Sequence, residues 1–217
     1  MANPSPPTDE YLVHIESALR AYLDRGHEAG AAELTSIAGA IHWQPFRAAP
    51  LVGPPQSRAA RVPRPAYDAM LSAATFWRDK FHCRYCGGRV VPTRLLMLVS
   101  SVYPEQIPFH KNWKRGYVHP VYWLRGGQAD HVVPGHAGGD WSDPSNVVTA
   151  CGGCNMRKRN RLLSEIGWQL LDMPASPDWD GLTSLYGPLW EAAGRPDGHR
   201  PWVSAFANLA SPASPRL

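Results

Sequence analysis

The sequence predicts an α+β fold in which a central ββα finger lies between mainly helical N- and C-terminal segments. Two short apolar strands, separated by a Gly-rich loop, run into a basic helix, which is the order of a ββα unit. A Cys-x-x-Cys pair stands before the first strand and a second pair follows the second strand. The chain has 217 residues, of which 44% are hydrophobic and 18% charged, and this composition supplies enough apolar material for a core.

The N-terminal region, residues 1–66, is predicted to be helical up to a proline-rich arm. Residues 8–10 offer an N-cap for a helix whose apolar residues within 11–23 recur at i, i+3/i+4 and i+7/i+8. A second helix is predicted over 31–41, and the prolines of 45–65 indicate an extended arm or linker. A helix pair of this kind is compatible with a DNA-reading helix-turn-helix and equally with ordinary packing.

The next elements follow the chain to its C-terminal part. A helix over 67–80 leads to the first cysteine pair, and the segments 128–134 and 146–150 predict two short strands. A basic helix is predicted over 155–163, directly after the second cysteine pair. A last helix is predicted over 182–193, where it would pack on the finger.

The four cysteines are the clearest signal for a metal. They form two pairs of identical spacing, Cys83–Cys86 and Cys151–Cys154. A tight turn between two such cysteines directs both sulfurs to one point, and two turns supply four thiolates for tetrahedral zinc. Two disulfides in an exported protein, or four unrelated buried thiols, are the alternatives. The pairing of every cysteine and the lack of an export signal favour a structural zinc site in a cytoplasmic protein.

These motifs, taken in order, resemble the zinc-knuckle branch of the HNH endonucleases, which have a ββα-metal active site. The resemblance rests on Cys-x-Tyr-Cys, Asp-His-Val-Val-Pro, Gly-Gly, Ser-Asn and Val-Thr-Ala-Cys-x-x-Cys-Asn-x-Arg-Lys, and it covers residues 81 to about 163. It implies a nuclease domain over 67–185 with an insertion at about 88–127. The remaining residues, 186–217, form a C-terminal tail without a matching motif.

The resemblance also implies a role for four residues. His131 is the expected general base, because an imidazole titrates near neutral pH and takes a proton from water. Asp130 and Asn155 are expected to bind one catalytic divalent cation through a carboxylate and an amide oxygen, a hard donor set that suits Mg²⁺ or Mn²⁺. Asn146 is expected to brace the loop that orients His131.

Positive charge and aromatic rings indicate a nucleic-acid partner. The chain carries 22 Lys and Arg against 18 Asp and Glu, a net charge of +4. Phosphate contacts would add salt-sensitive affinity without sequence information, although a solvated helix face explains the same cluster. The residues expected to bind phosphate are Arg157, Lys158, Arg159 and Arg161. The aromatic residues of the insertion, which either stack on unpaired bases or pack internally, are Trp113, Tyr117, Tyr122 and Trp123.

The sequence therefore predicts a metal-dependent endonuclease that nicks or cuts double-stranded DNA, with restriction or phage defence as a role that fits this activity. A non-catalytic zinc-containing module that binds nucleic acid is the alternative. The longest apolar run, Leu95–Val99, has five residues, and a membrane span needs about 18, so no membrane partner is expected. A homodimer is compatible with cleavage of both strands.

Overall fold

The computed structural model describes residues 3–39, 47–52, 68–114, 116–173 and 178–211. Within these ranges the α+β class is confirmed, as are helical segments before and after the sheet in the sequence. The proline-rich arm predicted over 45–65 lies outside the described residues apart from 47–52. In chain order the elements are α1 (Glu10–Arg25), α2 (His27–Leu34), α3 (Ala69–Arg78), β1 (Val91–Pro92), α4 (Thr93–Val102), α5 (Val121–Leu124), β2 (Gly126–His131), β3 (Val147–Cys151), α6 (Gly152–Lys158), α7 (Leu163–Ile166), α8 (Thr183–Ala192) and α9 (Arg200–Ala210).

The three strands form one sheet in the order β1-β2-β3. Strand β2 pairs antiparallel with β3, so that His131 lies opposite Val147. Strand β1 pairs parallel with β2, with Val91 opposite Gly126. Because β1 and the two helices after it fall within 88–127, the segment predicted as an insertion completes the sheet and supplies part of the core.

The sequence predicted that the basic helix starts after the second cysteine pair. Helix α6 instead begins inside that pair, at Gly152. Cys151 is the N-cap residue, and its Sγ accepts a hydrogen bond from the Cys154 N–H at 3.4 Å. The helix ends at Lys158, because the next residue, Arg159, has a φ of 56° that breaks the helical path. These two ends leave a helix of two turns that packs against β2 and β3.

Helices α1 and α2 form a packed pair at the N-terminal side. The chain turns between them at Gly26, which has a φ of 90° that favours glycine. Helix α2 therefore starts before the predicted range of 31–41, and Gly30 lies inside it. A Cβ on Gly30 would collide with the hydroxyl of Tyr103, so this glycine permits close packing and does not break a helix.

Helix α3 leads into the first cysteine pair, as the sequence predicted. Its N-cap residue, Asp68, accepts hydrogen bonds from the N–H groups of Met70 at 2.8 Å and Leu71 at 3.2 Å. Beyond its other end, the buried carboxylate of Asp79 accepts a hydrogen bond from the Thr149 N–H of β3 at 2.7 Å. Both ends of α3 are thus fixed, and one of them is fixed to the sheet.

Helix α9 was not predicted from the sequence, although its apolar residues have helical spacing. Trp202, Ala205 and Phe206 are buried, and the Trp202 ring lies 6.3 Å from the ring of Phe76 on α3. Helix α9, which lies within the predicted tail, therefore covers the helix that precedes the cysteine pairs. No helix in the described ranges has both the length and the apolar composition to cross a membrane.

Residues 3–9, which form no helix or strand, run along the region of the cysteine pairs. The Asn3 Nδ2 donates a hydrogen bond to the Tyr85 carbonyl at 2.9 Å. Arg125, which is fully buried, pairs with the Asp9 carboxylate at 2.6 Å. The N-terminal segment is in this way attached both to the first cysteine turn and to the residue directly before β2, the strand that carries Asp130 and His131.

Candidate metal centre and active site

The four cysteine sulfurs converge on one point. Cys83, Cys86, Cys151 and Cys154 are buried free thiols, and their sulfur atoms all lie within 4.8 Å of one another. Four thiolates at about 2.3 Å from a tetrahedral zinc ion lie about 3.8 Å apart, so this cluster fits zinc. The cluster that the spacing predicted is therefore present and can hold a metal such as zinc.

Hydrogen-bonded turns aim these sulfurs at each other. In the first turn the Cys83 N–H donates to the Gly88 carbonyl and the Gly87 N–H donates to the Cys83 carbonyl, each at 2.8 Å. Gly87 has a φ of 74°, which a side chain would strain. The second turn is the junction between β3 and α6, where Cys151 caps the helix and Cys154 lies in its first turn.

Burial and mutual hydrogen bonding set the protonation of the cluster. Burial raises the pKa of the Cys83 thiol well above its ordinary value. Hydrogen bonds from the other three thiols lower the pKa of Cys86, whose thiolate they stabilise. A divalent cation at the centre would take the place of the shared protons, because the thiolate is the form of cysteine that binds metal.

Asp130 is a residue of β2, and its side chain forms a buried ion pair with a residue of α6. Its Oδ2 accepts a hydrogen bond from the Tyr85 hydroxyl at 2.6 Å and lies 3.1 Å from the Lys158 Nζ. The Lys158 side chain is 0% exposed and that of Asp130 is 11% exposed. Burial, with the nearby Asp130 charge, raises the pKa of Tyr85, so this phenol stays a neutral donor to the carboxylate.

Lys158 does not face solvent, which corrects the expectation that it binds phosphate. Its Nζ donates to the His131 carbonyl at 2.7 Å in addition to pairing with Asp130. The same Nζ lies 6.0 Å from the centre of the Tyr85 ring. Lys158 therefore holds two consecutive residues of β2 from inside the protein and presents no charge to a ligand on the surface.

The other basic residues of the cluster lie in different surroundings. The Arg161 guanidinium donates to the Ala49 carbonyl and so helps to hold residues 47–52 against the chain after α6. Arg157 is half-buried, and its carbonyl accepts a hydrogen bond from the Ala49 N–H at 2.8 Å. Arg159 is exposed and lies on the wall of a cleft. Of the four predicted phosphate ligands, Arg159 has the geometry that best suits this role.

His131 is held by the loop that follows β2. Its Nε2 lies 3.0 Å from the Trp141 carbonyl oxygen, and its ring meets the Trp141 ring edge-on with centroids 4.7 Å apart. A carbonyl oxygen only accepts, so Nε2 carries the proton and the neutral ring has its lone pair on Nδ1. In the part of the chain that the structure describes, no group forms a hydrogen bond to Nδ1, which is the nitrogen able to accept a proton.

Asn146 connects the two ends of the loop between β2 and β3. Its Oδ1 accepts from the Val133 N–H at 2.8 Å, while its Nδ2 donates to the carbonyls of Val133 at 3.0 Å and Asp140 at 2.9 Å. Trp141 follows Asp140 directly, and its carbonyl holds His131. The Asn146 side chain thus fixes the loop on which the orientation of the histidine depends.

Asn155 faces the same side of β2 as Asp130. Its Nδ2 donates to the Gln128 Oε1 at 2.6 Å. Side chains alternate along a strand, so Gln128 and Asp130 share one face. Lys158, one helical turn after Asn155, contacts Asp130 on that face. The interface between β2 and α6 therefore contains both residues that were expected to bind the divalent cation.

Two residues that contact the predicted site residues, Tyr85 and Trp141, were not predicted from the sequence. Tyr85 lies between the first two cysteines, and a buried tyrosine hydroxyl needs a hydrogen-bond partner, which was a usable signal for its contact with Asp130. Trp141 holds His131 through a backbone carbonyl, which every residue type possesses. No pattern of residue types reveals such a contact.

A scan against protein-family models, a search of the curated proteins and a search of the solved structures found no match for this chain. The interpretation of the site accordingly depends on its own geometry and chemistry.

Proposed function

We propose that the protein is a metal-dependent HNH-type endonuclease that hydrolyses DNA phosphodiester bonds, with His131 as its general base. The observation that carries the proposal is the hydrogen bond from His131 Nε2 to the Trp141 carbonyl. This bond places the acceptor lone pair on Nδ1, at the end of a strand and next to a carboxylate in the chain. A ring fixed in one neutral tautomer is what proton abstraction from water requires.

The arrangement of β2, β3 and α6 supports the same interpretation. The antiparallel pair runs directly into the helix, and the cysteine cluster joins this junction to the first cysteine turn. We infer that this unit is the ββα-metal finger that the motif order implies. Three residues expected in the active site, Asp130, His131 and Asn155, belong to this unit, and Asn146 lies directly before β3.

The hydrolytic step needs a base for water and compensation for charge on the phosphate. As Nδ1 of His131 takes a proton from water, the ring becomes positively charged. The water oxygen bonds to phosphorus while the P–O bond to the leaving oxygen breaks, and that oxygen takes a proton from solvent. The Trp141 carbonyl, which already accepts a hydrogen bond from Nε2–H, then accepts a charge-assisted hydrogen bond from the imidazolium. The edge-on contact with the Trp141 ring keeps the imidazole plane in place during the transfer. Positioned general bases contribute about 10²- to 10⁴-fold to a rate.

Asp130 and Asn155 are the residues that would hold the divalent cation. A carboxylate and an amide oxygen are hard oxygen donors, the kind that Mg²⁺ and Mn²⁺ prefer. When bound, such a cation compensates the negative charge that develops on the phosphate. The Lys158 ammonium neutralises the Asp130 carboxylate in its absence, so the interface does not contain an isolated negative charge.

A non-catalytic zinc-containing module that binds nucleic acid is the second candidate. The ion pair between Asp130 and Lys158 favours it, because a carboxylate already paired with a buried ammonium has less affinity for a metal cation. The two candidates differ in what they require. A binding module needs neither a divalent cation in addition to zinc nor an unbonded ring nitrogen on His131.

Cleavage of supercoiled plasmid distinguishes the two candidates. Zinc-loaded protein is incubated with plasmid alone, with Mg²⁺ and with Mn²⁺, and the products are separated on a gel. The nuclease produces nicked or linear DNA only when Mg²⁺ or Mn²⁺ is added, and His131→Ala produces neither. His136→Ala, which alters a half-buried histidine of the same loop, is the matched control and retains cleavage. Plasmid that is bound but not cut in either metal would identify the binding module.

A further inference from the structure

A cleft of about 820 Å³ opens beside the interface between β2 and α6. Asn155 and Gln128, which are hydrogen-bonded to each other, form part of its wall. Its volume falls within the range of about 300–1,000 Å³ that is usual for ligand sites. Much of the remaining wall comes from α4 and from the segment between α4 and β2.

Three cations line the cleft and none of them is neutralised by a carboxylate in the described ranges. Arg94 comes from α4, Lys111 from the loop after it, and Arg159 from the end of α6. None of the three forms an ion pair with another described residue, and the described lining residues include no Asp or Glu. A concave surface with uncompensated charge of one sign concentrates ligands of the opposite sign.

Aromatic rings form another part of the cleft. Phe109, Trp113 and Trp123 are half-buried in its wall. The rings of Trp113 and Trp123 lie 4.7 Å apart with their planes at 59°, so the two indoles do not stack on each other. Tyr122, grouped with them in the sequence analysis, is fully buried and donates to the Leu96 carbonyl at 2.8 Å. Tyr122 therefore supports this wall from behind, while the two indoles lie at the cleft.

We propose that this cleft receives one unpaired nucleotide of the DNA strand that the site cuts, an inference that rests on the proposed function. Its base would lie against Trp113 and Trp123, and the adjoining phosphates would contact Arg94, Lys111 and Arg159. Aromatic faces bind any base, and cations bind the backbone, so this combination recognises a nucleotide without reading sequence. A base inside an intact duplex is stacked on its neighbours and is not available to such a cleft. The substrate class is therefore DNA with an extrahelical or single-stranded nucleotide.

The test compares two labelled duplexes that differ only by one extrahelical nucleotide. Binding is measured by fluorescence anisotropy with zinc-loaded protein and without added Mg²⁺ or Mn²⁺. The wild-type protein is expected to bind the bulged duplex at least about fivefold more tightly, which is the lower end of what one base–aromatic contact contributes. Trp113→Leu is expected to abolish this preference. Tyr117→Leu, which changes an aromatic residue that is 54% exposed and does not line the cleft, is expected to keep it.

Two further measurements distinguish stacking of the extrahelical base in the cleft from general contacts with the DNA backbone. An extrahelical 2-aminopurine is expected to lose fluorescence on binding to the wild-type protein and to keep it with Trp113→Leu, because stacking on an indole quenches it. Arg94→Gln is expected to weaken binding of both duplexes and to reduce the salt dependence of binding by about one phosphate contact. Circular dichroism establishes that each variant is folded.

Equal affinity for the two duplexes, or a preference that survives Trp113→Leu, would overturn the inference. A free deoxynucleotide that competes as well as the bulged duplex would assign the cleft to free nucleotides and would overturn it too. Plasmid cleavage without a preference for the bulged duplex would refute nucleotide binding in the cleft but not the nuclease activity. A preference for the bulged duplex without any metal-dependent cleavage would refute the nuclease activity but not nucleotide binding in the cleft.

Discussion

The buried pair of Asp130 and Lys158 decides how substitutions at the site should be interpreted. The Lys158 Nζ lies 3.1 Å from the carboxylate and also donates to the His131 carbonyl. A buried pair of this kind adds little net stability, but the loss of one partner leaves the other charge without compensation in the interior. Loss of cleavage in an Asp130 variant therefore reports on a cation site only if the variant is folded.

Asp130→Asn is expected to lower the free energy of unfolding by about 3–5 kcal/mol, because it leaves the Lys158 ammonium buried and unpaired. Lys158→Met removes the other charge while keeping the apolar stem, and it should lower stability by a similar amount. The double variant should regain part of the loss. Urea denaturation measures all three, with the exposed Lys111→Met as a control that changes stability by less than about 0.5 kcal/mol. Unchanged midpoints in both single variants would refute the coupling.

His119 gives the protein an acid-sensitive contribution to stability. The residue is fully buried, its Nε2 donates to the Ile37 carbonyl at 2.8 Å, and its Nδ1 accepts from the Val121 N–H at 3.2 Å. Burial lowers the pKa of His119 from its ordinary value of 6.5. The unfolded chain therefore binds a proton at a higher pH than the folded protein does. The stability from this residue is present above pH 6.5 and is lost as the pH falls below it.

We expect His119→Gln to be less stable than the wild-type protein at pH 7.5 but to lose less stability on acidification to pH 5.5. The substitution removes the group that resists protonation, while the contact with Ile37 is weakened. Urea denaturation at pH 7.5, 6.5 and 5.5 gives the slope of the unfolding free energy against pH for each protein. The difference between the wild-type and variant slopes isolates His119 from other acid-sensitive groups. Parallel slopes would contradict this assignment.

At the scale of single residues, motif order placed the cysteines and the residues at positions 130, 131, 146 and 155 in one region of the fold. It did not reveal the burial of Lys158, because a lysine after a cysteine pair looks the same whether its stem points to solvent or to a carboxylate. The tautomer of His131 was equally out of reach, since it depends on a backbone carbonyl ten residues away.

At the scale of elements, the loop between β2 and β3 is the part on which the proposed chemistry depends most. One side chain, that of Asn146, makes three hydrogen bonds to the loop backbone. Gly139 lies where an added Cβ would collide with the Val133 carbonyl, so the loop is closely packed as well as hydrogen-bonded.

Asn146→Ala is expected to lower the free energy of unfolding by about 2–4 kcal/mol, because three hydrogen bonds are lost and two carbonyls are left without their donor. Cleavage should fall as well, since the Trp141 carbonyl is no longer held. Thermal or urea unfolding measures the first effect and single-turnover cleavage the second. Asn160→Ala, an exposed asparagine beyond α6, is the matched control. An Asn146→Ala protein with wild-type stability and rate would rule out the bracing role.

The helices and strands could be predicted where a short stretch of sequence carries a pattern typical of that element. The period of apolar residues indicated α1, α3, β2, β3 and α8, and the structure contains them within a few residues of the expected limits. Strand β1 has two residues and exists only through its pairing with β2, which no local pattern reveals. The start of α6 was misplaced because a thiol, Cys151, serves as its N-cap.

At the scale of the whole molecule, the cysteine cluster joins segments that are far apart in the sequence. The first turn follows α3, the second lies between β3 and α6, and residues 3–9 run along both. The β2–β3–α6 unit alone is small, and units of this size bury too little apolar surface to fold unaided. A metal at the cluster would therefore stabilise the framework on which Asp130 and His131 lie.

Cys151→Ser is expected to reduce bound zinc below one ion per chain and to lower the melting temperature by about 10 °C or more, because several kcal/mol of metal binding are coupled to folding. The substitution also removes the side chain that caps α6. Elemental analysis measures the metal and a thermal scan measures stability, with the wild-type protein treated with a zinc chelator as a comparison. A Cys151→Ser protein of wild-type stability, or a wild-type protein without zinc, would exclude a structural zinc site.

The most direct measurement is the single-turnover rate at which zinc-loaded protein cleaves a labelled DNA duplex with one extrahelical nucleotide in Mg²⁺, with wild-type and His131→Ala compared under identical conditions. If Nδ1 of His131 takes the proton from water, the variant melts like the wild-type protein and binds the duplex with similar affinity, but it cleaves about 10²- to 10⁴-fold more slowly. Cleavage by His131→Ala at the wild-type rate, or no cleavage by a folded wild-type protein that binds this DNA, would contradict the role proposed for His131.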